Sequence, residues 1–377
     1  MNKRILRNRS ALTRRAFGAG CVVSAAAGFP PSARAEAAPK SLGALAAEKG
    51  ILFGASFAVH ELDAAYGADY ARIYEHDARI LTSELEFKMA ALRPASGNLD
   101  FFDADKLVDF AEKRQMKVRA HTLIWNDDLP DWIKGLAKDD AASLLDVHIG
   151  SVISRYQDRV AIWDVVNEPI GPWDKLPGNL RGGPYYAALG EGYILRAFEQ
   201  ARKVAPAATL VLNEAQTETD DANGATFRAS LLALLKRLKD QDAPIDAIGL
   251  QSHLKADARY DLDAFTQYVG EIASLGYDIH ITELDVNDTG IAGDIATRDA
   301  KVATLYERYL SAMLKLPAVK VVQLWQLSDR TSWMRDPALI PRIRLRSQAR
   351  PLPYDDAFKK KPAWDAVARA LSQAAAR

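Results

Sequence analysis

Eight short apolar runs recur along this chain, each ending in a polar tip and separated by stretches with helical patterning. The runs are ILFGASF (51–57), RILTSE (79–84), KVRAHTLIW (117–125), AIWDVVNEP (161–169), TLVLNEA (209–215), AIGLQSHL (247–254), DIHITELDV (278–286) and VVQLWQLSD (321–329). Amphipathic patterns at 103–114, 141–155, 191–204, 225–239 and 296–314 fall between them. Strands that are apolar along nearly their whole length belong to a parallel sheet covered on its outer face by helices. Eight such units in about 330 residues predict a (β/α)8 barrel. An open doubly wound sheet would carry a glycine-rich phosphate turn after its first strand, and Phe53-Gly54-Ala55-Ser56 is no such turn.

The first 35 residues do not share this rhythm. They hold seven basic side chains and no acidic one, then an apolar, alanine-rich stretch from Ala16 to Gly28, then Ala33-Arg34-Ala35. That order of basic, apolar and small-residue segments predicts an export signal over 1–35. Thr13-Arg14-Arg15-Ala16-Phe17 resembles the twin-arginine type. A linker is expected over 36–47 and the barrel over 48–377. The destination is the periplasm or the medium. The only cysteine, Cys21, lies within the apolar stretch rather than just after it, where a lipid anchor would need it.

The whole chain is balanced, with 49 basic and 49 acidic groups. Cleavage after Ala35 leaves 342 residues carrying 42 basic and 49 acidic side chains. A mildly acidic chain disfavours nucleic acid and anionic membranes as partners. No apolar run reaches the roughly 20 residues of a membrane span. A monomer is expected. Cysteine-based metal sites are excluded after cleavage, and His121 and His253 do not sit in a metal-binding pattern, so neither metal nor cofactor is called for.

Polar residues gather at the C-terminal ends of the runs: Glu84, His121, Asn167 and Glu168, Asn213 and Glu214, Gln251 and His253, Glu283 and Asp285, Asp329. In a barrel these ends form the face where active sites are built. An ionised side chain among valines and isoleucines costs several kcal/mol unless it is paired. A ring of such groups therefore points to a shared cleft. Glu168 ends the fourth strand, where Pro169 stops it, and Glu283 ends the seventh. Two carboxyl groups opposed across a barrel mouth, one protonated and one ionised, are what retaining glycoside hydrolysis requires.

With these motifs in view, the chain resembles glycoside hydrolase family 10, the endo-1,4-beta-xylanases. The resemblance runs from about Gly50 to Leu371, through RILTSELEFK (79–88), AHTLIW (120–125), WDVVNEP (163–169), LGEGYILRAF (189–198), GLQSHL (249–254), ITELDV (281–286), the Trp325/Trp333 pair and RPLPYDDAFKKKPAWDAV (350–367). It implies Glu168 as acid/base and Glu283 as nucleophile, with His253 and Asp285 orienting the nucleophile. It implies Asn167 on the 2-hydroxyl of the sugar at the cleavage point. Glu84, Lys88, His121, Trp125 and Gln251 would line the subsites on the non-reducing side, with Trp325 and Trp333 as apolar wall and roof. Trp163 is expected in the core, and His60, His76, His148 and His280 receive no role.

Three positions depart from the family pattern. Leu85 stands where an amide usually follows Ser83-Glu84, Asn126 stands where histidine is common, and Glu214 replaces a common aspartate. The chemistry thus looks intact while substrate-reading positions have drifted. Xylan is the first expectation, another β-glycan or a decorated xylooligosaccharide the second, and a glycan-binding protein without catalysis the third.

Overall fold

The computed structural model describes residues 40–336 and 348–377. The expected export signal and residues 36–39 lie outside them. Eight parallel strands alternate with helices: β1 (Leu52–Phe57), β2 (Ile80–Ser83), β3 (Lys117–Ala120), β4 (Ile162–Asn167), β5 (Thr209–Glu214), β6 (Ala247–Leu250), β7 (Asp278–Asn287) and β8 (Val319–Leu324). Each pairs with the next, and β8 pairs with β1 through Leu52 opposite Val321 and Ala55 opposite Leu324, which closes the sheet. The fold is a (β/α)8 barrel, as the rhythm of the sequence predicts. The expected helical stretches appear as Phe102–Glu112, Lys138–Tyr156, Gly192–Val204, Ala222–Asp240 and Ile295–Met313. Asp221, Asp261 and Asp294 cap three of the outer helices, accepting from Gly224, Ala264 and Thr297 main-chain N–H at 2.8, 3.0 and 2.8 Å. Each cap satisfies a donor that the first turn leaves without a partner.

The boundary placed at residue 47 is corrected. Leu42–Ala47, expected to be linker, is a helix capped by Ser41, with Leu42 and Ala46 buried one turn apart. Burying that face outweighs the weak helical tendency of so short a segment. Leu42 main-chain N–H also donates to the buried Asp77 carboxylate at 2.9 Å.

Inside the barrel the strands contribute layers. Ile80, Ile162, Ala247 and Val321, one from each even-numbered strand, pack with Val211 as an apolar floor. Above it the interior is polar. Arg119 on β3 is fully buried and forks onto Asp164 of β4 at 2.5–3.0 Å, with Nη1 on Gln323 of β8 at 3.2 Å. Gln323 in turn donates to Thr82 of β2 at 2.5 Å. Trp163 points the other way, fully buried and edge-on to Phe87, and is core as expected.

Candidate active site

Two of the predicted strands are interrupted, and the interruptions aim side chains at the cleft. Along 117–125 the pairing with β4 runs Ala120 opposite Trp163, then Ile124 opposite Val166. Four residues thus face three, a one-residue bulge that shifts the strand by half its pleat. Trp125 then lies opposite Asn167, and its indole Nε1 donates to Glu168 Oε2 at 3.0 Å. Along 247–254, Ser252 takes φ of +63°, and His253–Lys255 resumes as a short strand against β7, with His253 opposite Asp285.

Glu168 sits just past β4. Its main-chain N–H still bonds Asn213 O at 2.8 Å, then φ of +50° turns the chain out and Pro169 ends the ladder. A left-handed glutamate is uncommon and costs on the order of 1 kcal/mol, strain of the kind found at functional sites. Three donors converge on its carboxylate: Trp125 Nε1, Arg181 Nη1 at 2.7 Å, and Gln251 Nε2 at 2.9 Å on the other oxygen. Arg181 is also paired with Asp127.

Glu283 is buried midway along β7. Asn213 Nδ2 donates to its Oε1 at 2.7 Å and His253 Nε2 to its Oε2 at 3.2 Å. His253 Nδ1 lies 3.0 Å from Asp285 Oδ2, the oxygen that also accepts from Trp333 Nε1 at 2.7 Å. Burial works against both charges of the His253–Glu283 pair. Even so, the carboxylates of Asp285 and Glu283 raise the imidazole well above its ordinary pKa. For Glu283, burial is outweighed by the His253 hydrogen bond and the positive charges of His121, His253 and Arg119, which hold it down at about 2.

The two carboxylates open into one cleft of about 570 Å3. Asn167 spans them: its Oδ1 accepts from Asn213 Nδ2 at 2.9 Å and from Gln251 Nε2 at 3.4 Å. Trp125, Trp325 and Trp333 line the cleft, as do Glu84, Lys88 and His121. Lys88 Nζ stands 5.0 Å from the centre of the Trp125 ring. Leu85 projects into the same space with 43% of its surface exposed.

Not every strand-end group faces this cleft. Glu214 is fully buried and accepts from the main-chain N–H of Ile170 and Ala215 at 3.0 and 2.8 Å, tying the loop after β4 to β5. Asp329 is buried against Lys361 Nζ at 2.8 Å. Gln251 is almost fully buried, and its amide is engaged by Glu168 and Asn167 rather than facing the outer sugar positions. The sequence reading missed Arg181, which lies in the loop after β4 among glycines and prolines with no periodicity to mark it. It also missed Gln326, which bonds the cleft residue Glu84; His60, given no role, lies exposed at the cleft edge. His148 and His280 are structural: both are buried and their pKa values pushed down to about 3, chiefly by burial.

A closed (β/α)8 barrel in which a glutamate just past the fourth strand and another on the seventh line one cleft is the architecture of a glycoside hydrolase. The chain belongs to glycosyl hydrolase family 10, whose model matches residues 41–370. It is 30% identical over 307 residues to endo-1,4-beta-xylanase B of Thermotoga neapolitana, a match covering 81% of this chain and 84% of that protein. Native xylanase 10B from Thermotoga maritima superposes with a TM-score of 0.80 at 30% identity, over 88% of this chain and 98% of that one. Xylanase 10B from Thermotoga petrophila RKU-1, in complex with xylobiose, gives the same score and identity over 89% and 98%.

Proposed function

We propose that this chain is a retaining endo-1,4-beta-xylanase that cuts internal bonds of xylan by double displacement. The observation that carries this reading is the unlike environment of two glutamates in one cleft. Glu283 is buried and held ionised, suited to attack the sugar carbon. The side chain of Glu168 is about 20% exposed, where it can exchange a proton with substrate and water. In the first step, protonated Glu168 gives its proton to the glycosidic oxygen as a Glu283 oxygen bonds to the anomeric carbon and the leaving chain departs. In the second, Glu168 takes a proton from a water whose oxygen attacks the same carbon, freeing Glu283.

His253 and Asp285 orient and charge-balance the nucleophile in this reading. Asn167, with Oδ1 occupied, offers Nδ2 to the 2-hydroxyl, where hydrogen bonds strengthen as positive charge develops. Trp325 and Trp333 give apolar faces to pyranose C–H groups. Glu84, Lys88, His121 and Trp125 read sugars on the non-reducing side. The relatives named as xylanases, one of them holding xylobiose, support xylan as substrate.

A second reading, another β-glycan or a decorated xylooligosaccharide, is favoured by Leu85, which presents an exposed alkyl chain where an amide would bond a hydroxyl. Protein lacking residues 1–35, assayed on soluble xylan and on mixed-linkage β-glucan, separates the two: xylan is expected to be the better substrate. NMR of the first product is expected to show the β-anomer, and Glu283→Ala is expected to abolish turnover. An α-product or an active Glu283→Ala enzyme overturns the mechanism. We further infer export to the periplasm or medium through residues 1–35, which N-terminal sequencing of the mature protein tests.

A further inference from the structure

Gln326 stands out beside the cleft, bonded to two of the residues that line it. It follows Trp325 directly after β8, is almost fully buried, and holds φ of +71°. Glycine takes that conformation freely, whereas a side chain there costs on the order of 1 kcal/mol. A tight turn alone would be better served by glycine, so the presence of a long amide asks what that amide does.

It bonds at both ends. Nε2 donates to Glu84 Oε1 at 2.7 Å, and Oε1 accepts from the main-chain N–H of Trp333 at 2.9 Å. The main-chain N–H of Gln326 itself is held by Ser56 Oγ on β1 at 2.8 Å. Trp333 is thereby fixed twice, its main chain by Gln326 and its indole by Asp285. Asp285 is the partner of His253, which bonds the nucleophile Glu283. A continuous path of polar contacts therefore runs from Glu84, on the non-reducing side, through Gln326 and Trp333 to Glu283.

We propose that Gln326 is a positioning residue that locks Glu84 and the Trp333 loop into one wall, so that binding of a second sugar on the non-reducing side accelerates bond cleavage. The proposal rests on the reading of Glu84 as a sugar contact. Energy from a remote sugar raises turnover only when the group that binds it is rigidly joined to the reacting centre. A Glu84 free to swing would bind the sugar and pass nothing on. The amide also sets the hydrogen-bonding role of Glu84: with Oε1 committed to Gln326, Oε2 remains to accept from a sugar hydroxyl.

The test compares an aryl β-xyloside, with one sugar before the scissile bond, and the corresponding aryl β-xylobioside, with two. Gln326→Gly removes the amide and relieves the backbone, while Gln326→Met keeps the volume and removes both bonds. In both variants the kcat advantage of the xylobioside over the xyloside is expected to fall about tenfold. Should Gln326→Met fail to fold, Gln326→Gly alone decides. A folded variant that keeps the wild-type kcat advantage overturns the inference and leaves the xylanase reading standing. Wild-type enzyme that cleaves neither glycoside overturns both.

Discussion

Asn213 Nδ2 donates to Glu283 Oε1 at 2.7 Å, and its Oδ1 is clamped by Thr282 Oγ1 at 2.7 Å. The amide on β5 is thus oriented by a side chain from β7, two strands away, and presents a fixed donor to Glu283. Space for it comes from Gly249 on β6, where an added Cβ would fall 2.2 Å from Asn213 Oδ1 and 2.9 Å from Thr282 Cγ2. Gly249→Ala must push Asn213 aside. It is expected to cost about 1–3 kcal/mol of stability by overpacking, and to lower kcat by about tenfold through misplacement of Glu283. Chemical denaturation and steady-state kinetics read the two effects separately.

Arg181 is expected to matter most when the leaving group needs a proton. It holds Glu168 from the loop after β4 and is itself anchored by Asp127. Arg181→Ala should slow xylan hydrolysis by roughly ten- to a hundredfold. An aryl glycoside with a strongly acidic phenol, which leaves without help, should be affected far less. Equal losses on both substrates would refute a role in placing the acid.

The pH dependence follows from the environment of Glu283. Its pKa lies at about 2, below the ordinary 4.5, because the His253 hydrogen bond and nearby positive charges outweigh burial. A lowered carboxylate pKa means that ionised Glu283 persists until the pH falls toward 2. Its contribution to stability is present above 4.5 and is lost as the pH falls from there through about 2. His253→Ala leaves burial less opposed. The acid limb of kcat/KM is expected to move to higher pH by about one unit or more. A pH–rate profile with an unmoved acid limb would contradict this.

Arg119 and Asp164 are both fully enclosed. Arg119→Met keeps much of the volume and strands the Asp164 carboxylate, which His121 Nδ1 alone then contacts at 2.9 Å. The expected loss is about 3–5 kcal/mol, the range for breaking a buried pair by removing one partner. Urea titration at neutral pH measures it.

Leu85→Asn restores an amide at the exposed position beside Glu84. One added hydrogen bond of about 1 kcal/mol predicts a several-fold lower KM for xylan with kcat little altered. An unchanged KM would remove Leu85 from the determinants of affinity.

Much of the architecture is readable from local pattern. The apolar runs became the eight strands within a few residues, because a strand buried on both faces must be apolar wherever it lies in the chain. The break at 121–123 was not readable, since a bulge is set by the register of the neighbouring strand. Glu168 and Glu283 are legible because a carboxylate ending an apolar run has few reasons to be there other than chemistry. Glu214 shows the limit of that inference. It obeys the same rule and turns instead to two main-chain donors that arrive from the loop after β4.

By itself, then, the sequence determined the barrel, its order of strands and the two glutamates at the cleft, because periodicity and strand termini are properties of short segments. Only the closed tertiary structure decided which groups meet them. Gln326 reaches Glu84 across 242 residues of chain and Asn213 reaches Glu283 across 70. Arg181 is only 13 residues from Glu168 but arrives through an irregular loop. Such contacts depend on how the bulges stagger each strand and on where the loops are pinned, and no single stretch of residues carries that information.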